Sequence, residues 1–248
     1  MDRVALITGG SRGIGAATAL LAATQGWKVA VNYASNERAA DEVVRTIRAG
    51  GGEAIAVRGD VADEAQIVAM FEEVDARLGR LGGLVNNAGV VDLTSRVEDM
   101  SAARLRRMFD VNVVGSILCA REAVRRMSTR HGGSGGSIVN LSSAAARLGA
   151  PGQYVDYASA KGAIDTFTIG LAKEVAAEGI RVNAVRPGLI ETDIHASGGI
   201  PDRVQQLSHL VPMQRGGSAD EVAQAICWLL SPQASYTTMS LVDVSGGR

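Results

Sequence analysis

Short apolar runs alternate with longer amphipathic segments along most of the chain. The apolar runs predict strands over 3–7, 28–33, 53–58, 83–86, 137–141, 181–186 and 239–242. Between them, apolar residues that recur at helical spacing predict helices over 14–25, 37–48, 64–78, 102–127, 157–177 and 219–230. This alternation predicts an α/β fold in which helices cover both faces of a doubly wound parallel sheet. The first half of the chain contains no linker-like stretch, and we expect a single domain over 1–248.

One segment breaks the alternation. Residues 190–217 have little periodicity and contain Gly198, Gly199, Pro201, Pro212, Gly216 and Gly217. A long irregular stretch after a strand is commonly functional, and we predict a lid here. The Gly/Ser run 132–136 is interpreted as a turn and not as a domain boundary.

Composition narrows the class of protein. The chain has 248 residues, 46% of them hydrophobic and 21% charged, with a net charge of -1. This balance gives no indication of a nucleic-acid or membrane surface. No apolar run approaches the roughly 18 residues that span a bilayer, and no secretory signal pattern is present, so a cytoplasmic protein is expected. Cys119 and Cys227 are far apart and lack metal-site spacing, which predicts reduced, buried thiols.

A glycine-rich turn follows the first strand and opens the first helix, with the sequence Thr8-Gly9-Gly10-Ser11-Arg12-Gly13-Ile14-Gly15. Glycines allow a tight turn and close backbone approach, while the helix N-terminus offers N–H groups to a pyrophosphate. The spacing differs from the common GxGxxG pattern. The motif therefore predicts a dinucleotide site, with a plain strand-to-helix turn as the alternative.

The end of the second strand bears on the choice of dinucleotide. Enzymes that select NAD usually place an acidic residue there for the ribose 2′-hydroxyl, whereas this chain has Tyr33. Arg12 in the glycine turn, and Ser35, Asn36 and Arg38 after the strand, suit a 2′-phosphate. We therefore expect NADP(H) in preference to NAD(H), with NAD(H) as the alternative and a solvated Arg38 as the second reading of that residue.

Tyr157 and Lys161 stand four residues apart in a predicted helix, which places both on one face. A nearby ammonium favours the phenolate and is expected to lower the tyrosine pKa toward neutrality. The pair is thus a candidate proton donor and its cationic partner.

The order of these motifs resembles that of the short-chain dehydrogenases/reductases over essentially the whole chain. The matching residues are Thr8–Gly15, Asp60 and Val61, Asn86 to Gly89, Asn112, Ser142 and Ser143, Tyr157 and Lys161, Pro187 and Gly188, and Thr192. The nearest members in character are 3-oxoacyl-carrier-protein reductases and glucose-dehydrogenase-like enzymes. The resemblance implies a Rossmann-type fold and hydride transfer between a nicotinamide and a carbonyl or secondary alcohol, with no metal.

The resemblance also assigns residues to roles. The implied cofactor site comprises Gly9, Ser11, Arg12, Gly13, Ile14, Gly15, Tyr33, Ser35, Asp60, Val61, Asn87, Ala88, Gly89, Tyr157, Lys161, Pro187, Gly188, Ile190 and Thr192. Tyr157 is the implied acid-base residue, Lys161 lowers its pKa and contacts the ribose, and Ser143 donates a hydrogen bond to the substrate oxygen. Asn112 is expected to hold a water that relays protons through Lys161, or simply to satisfy backbone groups. Tyr154 is expected to form a wall of the substrate pocket, or to serve packing only.

The chain departs from the family pattern at the catalytic serine. The family commonly places it thirteen residues before the tyrosine, where this chain has Ala144. Ser143 lies fourteen residues before Tyr157, and one extra residue in the loop 147–153 would account for the difference. Ser143 is the preferred candidate, with Ser142 as the alternative.

Several further expectations concern function and assembly. A dinucleotide-binding sensor without turnover is the alternative to an enzyme, but it has no need of the four catalytic residues. Substrate classes left open are 3-oxoacyl thioesters, sugars or polyols, and small ketones. One predicted helix and the residues after it are basic and could bind an acidic acyl carrier. The arginines are Arg104, Arg106, Arg107, Arg125, Arg126 and Arg130, and solvation at the surface is the alternative explanation for them. His131, His195 and His209 show no metal pattern, and His195 in the predicted lid is a candidate substrate contact.

The family resemblance implies a homotetramer, with a dimer as the alternative, in which the helices 102–127 and 157–177 form an interface. The second of these helices is rich in small residues, which permit close helix packing across an interface. Packing within one chain is the alternative explanation for the small residues.

Overall fold

The computed structural model describes residues 3–192, 197–200 and 202–248. Within them, one parallel sheet of seven strands has the order β3-β2-β1-β4-β5-β6-β7. The strands are β1 (Arg3–Ile7), β2 (Trp27–Tyr33), β3 (Ala54–Arg58), β4 (Leu81–Asn86), β5 (Gly136–Leu141), β6 (Ile180–Pro187) and β7 (Leu241–Val244). The predicted fold class is confirmed, because helices cover both faces of this sheet.

The helices connect successive strands. They are α1 (Gly13–Thr24), α2 (Glu37–Ala49), α3 (Glu64–Leu78), α4 (Ala102–Phe109), α5 (Gly115–Met127), α6 (Ala145–Leu148), α7 (Val155–Val175), α8 (Arg203–Leu207) and α9 (Ala219–Leu230). A π turn, Asp110–Val114, joins α4 to α5. Short 3₁₀ turns occur at Val97–Asp99, Thr129–His131, Ala176–Glu178, Ser208–Leu210 and Pro232–Ala234.

The strands are mainly apolar because both faces of the sheet are covered. Ala5 and Ile7 face a core layer closed by α1, α2 and α9. Val4 and Leu6 point the other way, into a layer closed by α3, α5 and α7. This alternation follows the two-residue period of a strand. Each layer contains one cysteine, Cys227 in the first and Cys119 in the second.

Both cysteines are free and buried, as the sequence predicts. Burial raises the pKa of the Cys119 thiol to about 12, with a further contribution from the nearby Glu122. Burial likewise raises the pKa of the Cys227 thiol to about 12. Neither thiol is therefore a reactive thiolate in the folded protein.

The structure corrects several predicted boundaries, among them the following three. The predicted helix 102–127 is interrupted by the π turn, which gives Asn112 a position that a regular helix would not. The long helix predicted from 157 begins two residues earlier, at Val155. The last strand begins at Leu241, two residues later than predicted, because Met239 has a left-handed backbone with φ 64 that cannot continue a strand.

The irregular segment 190–217 is fastened at its base. A bridge pairs Ile190 with Gly217, and the Glu191 N–H donates to the Gly217 carbonyl at 2.9 Å. Within the described part of this segment, Val204 and Val211 form a small apolar cluster with Leu189. His195, the predicted substrate contact, lies outside the described residues.

The described residues include no helix long and apolar enough to cross a membrane.

Candidate active site

The strand order reverses at β1, whose neighbours β2 and β4 carry connections to opposite sides. Ligands bind at such a point in open α/β sheets. Here the turn after β1 is tied to the turn after β4. The Thr8 hydroxyl accepts hydrogen bonds from the backbone N–H groups of Asn87 and Ala88, both at 3.0 Å. The Asn87 amide in turn donates to the carbonyls of Thr8 and Gly9 at 2.9 and 3.0 Å.

Two glycines of the first turn are required by its geometry. Gly9 has φ 60, a left-handed conformation that favours glycine. A Cβ on Gly15 would lie 2.4 Å from the Gly9 carbonyl oxygen and 2.5 Å from the Asn87 amide nitrogen. Gly15 therefore supports the turn from behind, so its predicted role in the cofactor site is indirect.

The N-terminus of α1 is open to a ligand. Its N-cap residue, Arg12, makes no side-chain capping hydrogen bond. The side chains of Asn36, Asp63, Ser101 and Ser218 cap α2, α3, α4 and α9, whereas α5, α6, α7 and α8 lack a side-chain cap as α1 does. Uncapped N–H groups with the positive end of the helix dipole fit an anion such as a pyrophosphate.

A cavity of about 500 Å³ extends from this helix end along the edge of the sheet. Predicted cofactor residues that line it are Gly9, Ser11, Arg12, Gly13, Ile14, Tyr33, Ser35, Asp60, Val61, Asn87, Ala88, Gly89 and Thr192. Pro187, Gly188 and Ile190 line the adjoining cavity instead. Arg38 is exposed and does not line either cavity, whereas Arg107, predicted only as part of a basic helix, lines the first.

Tyr33 occupies the position where an acidic residue was sought. Burial is the larger cause that raises the pKa of this phenol, and its hydrogen bond with Glu37 raises it further. A carboxylate therefore does stand near the end of β2, but it belongs to the first turn of α2 and engages Tyr33. Glu37 was not predicted as this carboxylate because it lies four residues after Tyr33, where the acidic residue was expected.

The catalytic candidates meet at the start of α7. Lys161 follows Tyr157 by one helical turn, and its Nζ lies 5.5 Å from the centroid of the Tyr157 ring. That Nζ donates to the Leu141 carbonyl, at the end of β5, at 2.6 Å. The Ser143 hydroxyl is close enough to the Tyr157 phenol to lower its pKa, and both side chains line one cavity. The structure thus brings together three of the four predicted catalytic side chains.

The two serine candidates are separated by their partners. Ser142 is buried, and its hydroxyl donates to the Lys161 backbone carbonyl at 3.2 Å, so it faces the backbone of α7. Ser143 faces the Tyr157 phenol and also accepts from the Ala145 N–H at 3.1 Å. Ala144 is buried, with its N–H donated to the Pro187 carbonyl at 2.9 Å. This arrangement favours Ser143 over its neighbours.

The pKa of Tyr157 shifts against the direction that the Tyr-Lys spacing predicts. Burial raises the pKa of Tyr157 to about 12, and the hydrogen bond with Ser143 offsets only part of that effect. Burial also lowers the pKa of Lys161 to about 8, against an opposing contribution from Asp165. Desolvation therefore outweighs the attraction between ammonium and phenolate. Tyr157 remains a protonated phenol through neutral pH, which is the form that donates a proton.

The shifted pKa of Lys161 predicts a dependence of stability on pH. Between the folded pKa of about 8 and the ordinary value of 10.5, the unfolded chain binds more protons than the folded one. We therefore expect this residue to raise the free energy of unfolding by about 2 kcal/mol from pH 8 to pH 10. The measurement is chemical denaturation of wild type and Lys161→Met across that range, taking the difference between the two curves. Tyr157 and the cysteines also titrate more readily when unfolded, and the difference removes their effect.

Lys173→Met is the matched control, because Lys173 is an exposed lysine on the same helix. Its difference curve should be flat. A flat curve for Lys161→Met as well would contradict the buried-amine explanation.

Asn112 lies in the π turn and is buried. Its side-chain oxygen accepts from the Val90 N–H at 3.2 Å, and its nitrogen donates to the Val90 and Met108 carbonyls at 3.0 and 2.9 Å. A Cβ on Gly89 would lie 2.8 Å from that oxygen and 3.7 Å from the Lys161 Nζ. Asn112 and Lys161 therefore approach each other across Gly89. The Asn112 side chain thus satisfies backbone groups, as the alternative explanation proposed. The water relay through Lys161 stays a prediction.

A second cavity, of about 440 Å³, opens beside Ser143, Tyr157 and Lys161. It shares Ile14, Asn87, Gly89 and Thr192 with the first. Tyr154 forms part of its wall and donates to the Gly198 carbonyl at 3.1 Å. Gln153, Arg203 and Arg248 also line this cavity, although none of the three was singled out from the sequence. The position of Arg203 within the predicted lid, 190–217, could have indicated a contact with the substrate.

The predicted basic helix is largely neutralised by ion pairs. Arg104 pairs with buried Asp156, and Arg126 pairs with both Glu122 and Asp75. Arg125 and Arg130 pair with Glu122 and Glu178. Of the six arginines of this predicted helix, Arg106 and Arg107 are exposed and have no ion pair with a described residue. The continuous basic surface expected for an acyl carrier is therefore not present on this helix.

Metal ligands are not gathered anywhere in residues 3–192, 197–200 and 202–248. No group of three or more His, Cys, Asp or Glu side chains there could hold an ion.

Comparison with known proteins adds to this geometry. Residues 9–248 match a family model described as enoyl-(acyl carrier protein) reductase. The chain is 58% identical over 245 residues to the uncharacterized oxidoreductase YgfF of Escherichia coli, covering 99% of each. It is 40% identical over 250 residues to a 3-oxoacyl-acyl-carrier-protein reductase of Synechocystis sp., covering 99% of this chain and 96% of that protein. A mutant short-chain dehydrogenase/reductase from Serratia marcescens has a similar structure, with a TM-score of 0.91 at 33% identity over 99% of this chain and 97% of that one.

Proposed function

The chain belongs to the short-chain dehydrogenase/reductase family, and from that premise we propose that it transfers a hydride between NADP(H) and a carbonyl or secondary-alcohol substrate. The family makes it an oxidoreductase that uses a nicotinamide dinucleotide. The observation that carries the proposal is the contact of Ser143 with Tyr157, beside Lys161, at the point where the two cavities share residues. A sensor without turnover would have no use for that arrangement.

The residues present fit the cofactor. The uncapped N-terminus of α1 and the close turn at Gly9 would hold the pyrophosphate, while Asp60 and Val61 would border the adenine. Gly89, Pro187 and Gly188 lie at the junction with the catalytic side chains. When bound there, the nicotinamide supplies or accepts the hydride.

The protein's own part in reduction is to polarise the carbonyl and supply a proton. Ser143 donates a hydrogen bond to the substrate oxygen and stabilises the charge that forms on it. Tyr157 donates its phenolic proton to the same oxygen, which becomes the alcohol. The Lys161 ammonium stabilises the resulting phenolate. In oxidation, the phenolate accepts the proton from the alcohol.

The function is tested by following NADPH absorbance with 3-oxoacyl thioesters, sugars and small ketones. We expect turnover on one of these classes. The Synechocystis relative's name supports the thioester class, but the paired arginines of α4 and α5 give it no docking surface. Binding of NADPH without turnover on any class would favour the sensor instead.

The preference for NADP(H) predicts different roles for two arginines. Arg12 lines the dinucleotide cavity and Arg38 does not. Arg12→Gln should therefore raise KM for NADPH by about tenfold, because one charge-assisted hydrogen bond to the 2′-phosphate is lost. KM for NADH should stay unchanged. Arg38→Gln is the matched control, with an effect of less than about threefold expected for a solvated arginine. Equal KM values of wild type for NADPH and NADH would contradict the proposed preference.

We also propose a homotetramer, with a dimer as the alternative, built on α4, α5 and α7. Leu105, Phe109, Val114 and Ile117 expose apolar surface along α4, the π turn and α5. On α7, a Cβ built on Gly162 or Gly170 would meet nothing within 4 Å. Packing within the chain therefore does not require glycine at those two positions, and a second chain would.

Light scattering tests the assembly. Ile117→Glu is expected to reduce the particle mass, because it places a charge in the proposed interface. Met213→Glu changes an exposed apolar residue of the segment 190–217 and should leave the mass unaltered. A monomeric wild type would contradict the proposal.

A further inference from the structure

The cavity beside Tyr157 is cationic. Lys161, Arg203 and Arg248 line it, and none of the described lining residues is an aspartate or a glutamate. Lys161 lies at the reacting end, next to the Tyr157 ring. The positive charge of Arg203 is therefore additional to what the proton transfer uses.

Arg203 is the first residue of α8 and is half-buried against the cavity wall. Its Nη2 donates to the Gln153 side-chain oxygen at 2.6 Å, and its guanidinium carbon lies 5.2 Å from the centroid of the Tyr154 ring. Both partners are neutral. In the described part of the chain no carboxylate forms an ion pair with Arg203.

Nearby arginines behave differently. Arg186 pairs with Asp165 at 2.8 Å, and Arg147 pairs with Asp243 at 3.4 Å. In the segment 190–217, Arg215 pairs with Glu221. Arg203 differs from these three arginines, because it lines the cavity and has no carboxylate partner among the described residues.

An arginine held flat by an aromatic ring presents its remaining N–H donors as a fork that matches a carboxylate or a phosphate. Contact with Tyr154 and Gln153 orients the guanidinium in advance, which lowers the entropy lost on binding. We propose that Arg203 binds an anionic group of the substrate, so that the substrate is a carbonyl compound bearing a carboxylate or a phosphate. This inference rests on the function proposed above and names its substrate class.

The cavity also bears on what lies between the carbonyl and the anionic group of the substrate. Arg203 contacts Tyr154, and Tyr154 stands three residues before Tyr157 at the start of α7. Val91, Leu148 and Leu189 supply apolar wall in the same cavity. We therefore expect an apolar spacer between the carbonyl and the anionic group of the substrate.

The test compares matched substrates that differ only in charge. Wild type and Arg203→Met are assayed with NADPH on 3-oxobutanoate, 4-oxopentanoate and 5-oxohexanoate, and on their methyl esters. Dihydroxyacetone phosphate and dihydroxyacetone form the phosphate arm. We expect wild type to prefer the anion of a pair, and Arg203→Met to lower kcat/KM on the anion by about ten- to a hundredfold with little change on the neutral partner. Arg215→Met, in the same segment, is the control and should keep the preference.

A role for Arg203 in fastening the segment 190–217 alone would reduce turnover of charged and neutral substrates equally, and that result would overturn the proposal. A wild type without preference for either anion would overturn it as well. Calorimetric titration of glutarate and of inorganic phosphate into the NADPH complex gives a readout that needs no turnover. Binding that is lost in Arg203→Met supports the anion site even if every ketone proves inert, in which case only the proposed activity fails. Binding that is equal in wild type and Arg203→Met would overturn the anion site even if ketones are reduced.

Discussion

Replacing Tyr157 with Phe lowers kcat for carbonyl reduction by about a hundred- to ten-thousandfold, the usual contribution of a positioned general acid. The ring and its contact with Lys161 are kept, and only the proton that the substrate oxygen needs is lost. Since burial holds the pKa of Tyr157 at about 12, wild type has this proton available throughout the neutral range. The measurement is initial rates of NADPH oxidation on whichever substrate wild type reduces fastest.

Tyr154→Phe is the matched control, because it removes a phenolic hydroxyl from the same cavity and from the same end of α7. That hydroxyl donates to the Gly198 carbonyl, so its loss should cost less than about tenfold in kcat/KM. Affinity for NADPH, measured by fluorescence, should be retained by Tyr157→Phe. If Tyr157→Phe keeps more than a tenth of wild-type kcat, the proton must come from another group.

Replacing Arg104 with Met destabilises the protein by about 3–5 kcal/mol, because Asp156 is left as a buried, unpaired charge. The Asp156 side chain is 0% exposed and the Arg104 side chain 11%. Two hydrogen bonds, at 2.8 and 3.3 Å, join their guanidinium and carboxylate. Asp156 precedes Tyr157 directly, so we expect the loss of stability to be accompanied by a lower kcat. Urea denaturation at a fixed protein concentration gives the free energy of unfolding.

Two variants sharpen this experiment. Arg106→Met removes an exposed arginine of the same helix and should change the free energy of unfolding by less than about 0.5 kcal/mol. The double variant Arg104→Met with Asp156→Leu removes both charges and should recover most of the lost stability. Equal effects of Arg104→Met and Arg106→Met would show that the pair is worth no more than a surface contact.

The sequence predicted the sheet and helices well because their signals are local. Runs of apolar residues identify buried strands, and glycine spacing identifies the turn after β1. The same patterns could not show the π turn, since Asp110–Val114 continues the helical period of its neighbours and differs only in which backbone groups pair. The start of β7 was missed because a left-handed Met239 leaves no signature in composition.

Site chemistry was predictable only where it followed from spacing. Tyr157 and Lys161 share a helix face, and their four-residue separation identified them together with the motifs that precede them in the chain. The direction of the Tyr157 pKa shift was not predictable, because desolvation depends on the residues that close over the phenol. Arg104 and Asp156 are 52 positions apart, so their pairing has no local signal. Arg203 and Gln153 meet across the cavity for the same reason, over 50 positions.

The two buried cysteines can report how each helix layer separates from the sheet during unfolding. Cys119 lies under one face of the sheet and Cys227 under the other, and neither thiol reacts while its helix is in place. An alkylating reagent can modify each thiol only after α5 or α9 has separated from the strands. The modification rates of the two peptides, read by mass spectrometry from unaltered protein, therefore time the exposure of each side independently. Equal rates would mean that the sheet is uncovered in one event, and unequal rates would identify the helix layer that detaches first.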